Sequence, residues 1–392
     1  MQTNLIQQIE ALAADLSLWR RHLHMHPEPS FAEFKTMDFV CTVLSKNQIQ
    51  FQRGVAQTGV VALIAASHHA ANASCLALRA DLDALPIHEL NEVSYKSQNE
   101  GWMHACGHDV HTAILLGTAI VLNQNKESLT KPIKLIFQPG EEQSPGGASL
   151  MIEAGVLENP EVDALVALHV YPEMPAGEVG IRSGLYMASS DEIHLTIEGV
   201  GGHGALPERF NNPIDAGIDW IQKVKSLLAE NCPADIPQVL TFGRFEALGT
   251  TNVVVGEAQI KGTLRTMDET WRANAHELLY TAAQEISESS GTQLKLQIAK
   301  GYPFLKNDPV LTEQVTQILK NTLGEQNVKP LGLRMTAEDF AFYSQQKPVC
   351  FFRLGVGNEA AGITHAVHHP RFDIDESALL TGVKCMVQIA LS

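Results

Sequence analysis

The sequence predicts an α/β protein built on a mixed sheet, interrupted by an inserted ferredoxin-like α+β domain. Three observations lead there. Short apolar runs ending in polar groups alternate with helix-period stretches through the first half of the chain. Beyond Gly184 the strands change to clean apolar/polar alternation, and the elements follow the order β-α-β-β-α-β. The 392 residues, 45% hydrophobic and 18% charged, suffice for two or three domains with substantial cores. The expected division gives residues 1–184 and 298–392 to the first domain and 185–297 to the insert.

Bulk properties exclude several function classes. A formal net charge of −16 argues against nucleic acid or an anionic membrane as partner, since both need a Lys/Arg surplus. No run approaches the roughly 18 apolar residues of a membrane span. Met1 to Arg21 lacks the apolar core of a secretory signal. The cysteines at 41, 75, 106, 232, 350 and 385 show no paired spacing, so reduced thiols and a cytoplasmic location are expected.

Taken in order, apolar residues at helical spacing predict one helix over Leu5–Leu23. It runs into His22-Leu-His-Met-His26 and Pro27-Glu-Pro29, which we read as a polar helix end with an extended exit. A second helix covers Phe34–Leu44. Val60–Ala66 and Cys75–Arg79 are buried strands with a turn between them. Arg79-Ala-Asp-Leu-Asp-Ala-Leu-Pro86 follows, placing acids at the carboxyl end of a strand, where open α/β sheets put ligands. Asp81 or Asp83 can ligate a metal or orient a ligand, and the orienting role is preferred.

His104-Ala-Cys-Gly-His-Asp-Val-His111 places a thiol and three imidazoles in eight residues, ahead of a helix over Thr112–Leu122. Cys106 and His108 flank Gly107 and can reach one metal. A helix N-terminus favours the thiolate that binds it. Strand Ile133–Gln138 ends in Pro139-Gly-Glu-Glu142, a turn that lets both carboxylates enter one site. One can hold a metal while the other acts as general base. A helix over Ala148–Ala154 leads to the apolar strand Ala164–Val170, which His169 closes.

In the insert, strand Ile193–Gly199 precedes Gly199-Val-Gly-Gly-His-Gly-Ala-Leu-Pro207, where glycines leave His203 accessible. Asn212-Pro213 starts a helix through Leu228. Strands Val239–Phe245 and Glu257–Arg265, a helix over 269–287 and strand Gln293–Ile298 complete it. Asn252 and Arg265 are its other candidate binding groups; the fork of Arg265 suits a substrate carboxylate. The first domain resumes near Pro303 with a helix over 309–321, strand Val349–Leu354 and His365-Ala-Val-His-His-Pro370 before a final helix.

Cys106, His108, Glu142, His169 and one of His368 and His369 make five ligands, more than one tetrahedral zinc needs. Two metals are the economical reading. The segments RRHLHMHPEPSFAE (20–33), LRADLDALP (78–86), HACGHDVHTA (104–113), FQPGEE (137–142), ALHV (167–170), GGHGALPE (201–208), GTLRT (262–266), MTAEDFAFY (335–343) and HHPRFDIDE (368–376) together resemble the M20 metallopeptidase family, in particular its amidohydrolase branch. That resemblance implies a metallopeptidase catalytic domain with an inserted lid and dimerisation domain. It implies metal ligands at Cys106, His108, Glu142, His169 and His368, Glu141 as general base, and Asp83 as the acid behind a ligand. It further implies a homodimer in which His203 reaches the partner's active site and stabilises the oxyanion.

The implied reaction is hydrolysis of N-acyl amino acids (N-acetyl, N-benzoyl or similar) to a carboxylic acid and a free amino acid. It would use two divalent ions, with zinc or manganese expected and cobalt or nickel able to serve. A dipeptidase of the same family is the nearest alternative, although such peptidases more usually present Asp where Cys106 stands. A non-catalytic binding protein is a third reading, which an intact Glu141 disfavours. The chain has no Gly-X-Ser-X-Gly elbow for serine hydrolysis.

Overall fold

The computed structural model describes residues 2–66 and 74–392; the turn expected between the first two strands, at 67–73, lies outside them. The chain opens with α1 (Gln2–Ala11), α2 (Ala13–Met25), α3 (Phe34–Lys46), β1 (Gln50–Val55), β2 (Gly59–Ile64) and β3 (Cys75–Asp81). Next come α4 (His108–Gln124), β4 (Ile133–Gln138), α5 (Gly147–Glu153), β5 (Val162–Pro175), β6 (Val179–Ile181) and β7 (Gly184–Met187). Then follow β8 (Asp191–Glu198), β9 (Gly202–His203), α6 (Pro213–Asn231), β10 (Gln238–Glu246), β11 (Val253–Val254), β12 (Glu257–Thr266), α7 (Glu269–Ser290) and β13 (Gln293–Lys300). The chain closes with β14 (Leu305–Asn307), α8 (Pro309–Leu323), β15 (Val328–Pro330), α9 (Ala341–Ser344), β16 (Val349–Gly357) and α10 (Ser377–Leu391).

Two compact units result: Met1–Gly184 with Lys306–Gly332 and Asp339–Ser392, and Leu185–Leu305 with Leu333–Glu338. In the first, eight strands form one mixed sheet in the order β1-β2-β4-β3-β5-β16-β6-β15. Strand β3 runs parallel to β4 and β5, and β5 runs parallel to β16, whereas β2 pairs antiparallel with β4. The all-buried strands β3 and β4 explain their unbroken apolar character. The registers Asp81↔Gln138 and Arg79↔Ala167 bring the ends of β3 and β4 level with the middle of β5. The polar residues that follow therefore converge on one edge.

The second unit carries a four-stranded antiparallel sheet, β10-β12-β8-β13, in the expected β-α-β-β-α-β order. Its core unites Ile193, Leu195 and Ile197 of β8 with Trp220 and Val224 of α6 and Trp271 and Leu279 of α7. The other face of the sheet stays wetter, hence the alternating sequence. Both helices start on side-chain caps, with Asn212 accepting from Ile214 N and Asp268 from Trp271 N.

Several local expectations change. The first helix is two, because Leu12 leaves the α-helical bonding and its N–H reaches Ile9 O. Strand β1 is unforeseen; its mostly exposed pattern hides the apolar signal that marks its neighbours. His24 is no polar helix end: it is wholly buried, with Asp109 Oδ2 2.8 Å and Glu89 Oε1 3.3 Å from its ring nitrogens. No described helix is long and apolar enough to cross a membrane. All six cysteines are free.

Candidate active site

Helix α4 begins at His108, four residues earlier than its apolar run suggests, with Gly107 as its N-cap at φ +85°. A Cβ at Gly107 would lie 2.5 Å from Val170 Cγ2. Only glycine meets both the left-handed backbone and the close approach. The turn seats Cys106 Sγ 3.4 Å from His169 Nε2. His169 does not close its strand, since β5 continues to Pro175.

The ring nitrogens can be assigned from their partners. His169 Nδ1 lies 2.8 Å from the carbonyl of Val170 and must donate, which leaves Nε2 as a lone pair facing Cys106. His108 Nδ1 donates to Asp83, 2.9 Å from its carbonyl and 3.1 Å from Oδ1. His111 differs: Nε2 accepts from Val170 N and Nδ1 donates to Asp81 Oδ1, so both nitrogens are used within the protein. Asp81 is likewise committed, to His111 and to Arg79. Asp83 is the acid that orients, accepting from His108, from Ser30 Oγ and from Glu142 N.

The acid pair follows a turn at Gly140, φ +60°. Glu141 is buried, and its Oε1 accepts from Asp339 N at 3.3 Å. Glu142 Oε1 lies 3.9 Å from His108 Nε2 and 3.5 Å from His368 Nε2. His369 points elsewhere, stacked on His365 with ring centroids 4.2 Å apart.

The charge balance of this cluster calls for a cation. Burial opposes a charge on His108, but Asp81 and Asp83 outweigh it and hold its pKa up at about 10. Burial, then Glu142, Glu141 and Asp81, push the Cys106 thiol well above its ordinary range. The expected thiolate at a helix start is thus not what the protein alone favours; desolvation beside carboxylates outweighs the helix dipole. Asp83 stays ionised despite burial, through its hydrogen bonds from His108, Ser30 and Glu142 N.

Donor geometry fits a metal. His108 Nε2 and Glu142 Oε1 are buried and lack any hydrogen-bond partner. Donor atoms of Cys106, His108 and His169 lie within 4.8 Å of one another, as do those of Cys106, Glu142 and His368, and those of His108, Glu141 and Glu142. Buried polar atoms aimed at one point without a partner are costly unless something binds there. Removing Asp83, the support behind His108 and Glu142, is expected to weaken metal binding by roughly 10- to 100-fold. Competition of Asp83→Ala against a chromogenic chelator measures that loss.

The model of peptidase family M20/M25/M40 matches residues 77–392. The chain belongs to this M20 family. It is 36% identical over 363 residues to the N-acetyl-L-cysteine deacetylase of Bacillus subtilis, covering 92% of this chain and 84% of that one. It is 32% identical to thermostable carboxypeptidase 2 of Saccharolobus solfataricus, over 99% and 98% of the two chains. Among solved structures, the Bacillus subtilis YXEP protein, a dinuclear metal binding peptidase from the M20 family, superposes with a TM-score of 0.80 at 30% identity, covering 97% and 98%. This M20 chain is a metal-dependent amidohydrolase, and its clustered donor groups support a divalent-metal site.

In the second unit of this M20 enzyme, His203 is exposed on β9, opposite Val253 of β11. Gly204 N donates to Asn252 O at 2.9 Å, so His203 and Asn252 share one loop pair. Arg265 is half-buried near the far end of β12, opposite Val239, and is not part of that pair. Sequence reasoning missed Arg79, Asp339 and Gln138, a buried network under the acid pair. A signal was present: Arg79 is a charge inside an otherwise apolar strand, and such a charge must be paired.

Proposed function

We propose that this M20 enzyme hydrolyses the amide bond of N-acyl amino acids, releasing a carboxylic acid and a free amino acid. The observation carrying the reading is the buried, unpartnered pair of His108 Nε2 and Glu142 Oε1, with Cys106 and His169 beside them and Glu141 adjoining. In this reading Cys106, His108, Glu142, His169 and His368 hold two divalent ions, zinc or manganese in the first instance. Overlapping donor groups that share Cys106, His108 and Glu142 support two ions rather than one.

Bound metal would supply Lewis acidity and a lower pKa for water at the site. Glu141 takes a proton from the attacking water and returns it to the departing amine. Its hydrogen bond from Asp339 N anchors one carboxylate oxygen. Asp83 keeps the His108 proton on Nδ1, so Nε2 remains a donor to metal. The insert, expected over 185–297 and compact over Leu185–Leu305 with Leu333–Glu338, acts as lid and dimerisation domain. His203 from the partner subunit holds the oxyanion, and Asn252 and Arg265 engage the substrate, with Arg265 on its carboxylate. Free cysteines fit a cytoplasmic enzyme.

The likeness to N-acetyl-L-cysteine deacetylase supports an acylated amino acid as substrate. The likeness to a thermostable carboxypeptidase, over nearly the whole chain, keeps peptide cleavage as the second reading. Amine release by metal-reconstituted protein separates them, using N-acetyl, N-benzoyl and indole-acyl amino acids with simple dipeptides alongside. The expected outcome is faster release from one acyl class than from any dipeptide. Cleavage of dipeptides alone would replace the first reading with the second.

A further inference from the structure

The Pro27–Glu33 segment, which turns at Ser30–Phe31, lies outside the donor cluster, yet it is bound closely to the turn that carries the acid pair. Glu33 is wholly buried. Its Oε1 accepts from Gly140 N at 2.8 Å and from Phe31 N at 3.0 Å, and its Oε2 meets Thr58 Oγ1 at 2.5 Å. Phe31 sits at φ +63°, a left-handed conformation that an aromatic residue adopts only under constraint. Its ring is so close that a Cβ on Gly140 would lie 2.4 Å from Phe31 Cε1. Ser30 Oγ donates to Asp83 Oδ2 at 2.6 Å, and the same oxygen accepts from Glu142 N at 2.9 Å.

Glu141 therefore lies between two backbone amides that are both held. Gly140 N is tied to Glu33, Glu142 N is tied through Asp83 to Ser30, and the Phe31 ring presses on the turn between. We propose that Glu33 is a positioning residue for the Glu141–Glu142 pair, acting through the Gly140 amide to fix the direction in which both carboxylates leave the turn. The proposal rests on the assignment of Glu141 as general base and Glu142 as ligand.

The device works by shape rather than charge. Burial, and then Asp83, push the Glu33 carboxyl up to about 7. Protonated or not, Oε1 still accepts from Gly140, while Thr58 Oγ1 can donate to Oε2 or accept from it. Glutamine reproduces the protonated acid: its carbonyl oxygen accepts from Gly140 N and its amide donates to Thr58. Alanine removes the acceptor, and aspartate withdraws it by one methylene while keeping the carboxylate.

The test compares Glu33→Ala, Glu33→Asp and Glu33→Gln, each folded and metal-loaded, with kcat, KM and metal affinity measured on each. A misplacement of about 1 Å costs roughly 10²-fold in rate, so kcat of the alanine and aspartate variants is expected to fall about that far. KM should change little, and metal should bind more weakly through Glu142. The glutamine variant should stay within a few-fold of the parent. Should alanine not fold, aspartate carries the comparison. Unchanged kcat and metal affinity in the aspartate variant, or a glutamine variant as impaired as aspartate, would overturn the proposal. Combining Glu33→Asp with Glu141→Ala adds a control: little further loss beyond Glu141→Ala is expected, and a multiplicative loss would overturn action through Glu141. If Glu141→Ala alone leaves turnover intact, the general-base reading fails instead, and metal affinity through Glu142 still decides the role of Glu33.

Discussion

Glu141→Ala is expected to lower kcat by about 10³-fold while the protein stays folded and binds metal with near-parent affinity. General-base transfer contributes on the order of 10²- to 10⁴-fold, and the side chains of Asp339 and Asp81 are already engaged. Asp339 is hydrogen-bonded to Glu141 through its backbone N–H. Its side chain is committed to Arg79, Gln138 and Ala148 N. Asp81 is held by Arg79 and His111. Metal content of the purified variant should match the parent, because the buried unpartnered donors belong to His108 and Glu142. Steady-state kinetics at saturating metal reads the effect, and near-normal kcat would remove Glu141 from the role of base.

Arg79→Met is expected to cost about 3–5 kcal/mol of stability, the largest such loss we foresee for a single substitution here. The guanidinium is fully buried. Its Nη1 meets Asp81 Oδ2 at 2.6 Å, Nη2 meets Asp339 Oδ1 at 2.8 Å and Nε meets Gln138 Oε1 at 3.0 Å. Methionine fills much of the volume but leaves two buried carboxylates without their shared cation. Arg79→Lys should not restore stability, since one ammonium cannot replace a planar fork addressing three acceptors. Thermal melts of parent and variants under one metal condition test this. A methionine variant with unchanged Tm would show that Asp81 and Asp339 accommodate the loss by taking up protons.

Much of the donor cluster was legible because local pattern announced it. Cys106 and His108 stand on either side of a glycine, Glu141 and Glu142 follow a Pro-Gly turn, and His169 interrupts an apolar run. Polar groups in such places need a reason that adjacent residues already suggest. The groups that brace the cluster were not legible in this way. Arg79 finds Asp339 across 260 positions, Glu33 finds Gly140 across 107 and His24 finds Asp109 across 85. No periodicity links such pairs, so nothing local marks Glu33, and His24 looks like one of three histidines at a helix end.

The sequence by itself determined the layering of a mixed sheet and an α+β insert. Apolar spacing dictates which face of each element avoids water, and that requirement leaves few arrangements. It also determined the donor chemistry, since thiol, imidazole and carboxylate at strand ends are unusual without a ligand. Tertiary structure alone decided which donors remain unspent. His111 and Asp81 satisfy each other and their neighbours, whereas His108 Nε2 and Glu142 Oε1 have no hydrogen-bond partner. It turned His368 toward Glu142 and His369 onto His365. It also decided that burial beside Glu142 and Glu141 raises the Cys106 thiol well above its ordinary range, so that a thiolate there needs a neighbouring cation. The reason is physical: hydrogen-bond saturation and desolvation depend on every group packed around an atom, and those groups come from distant parts of the chain.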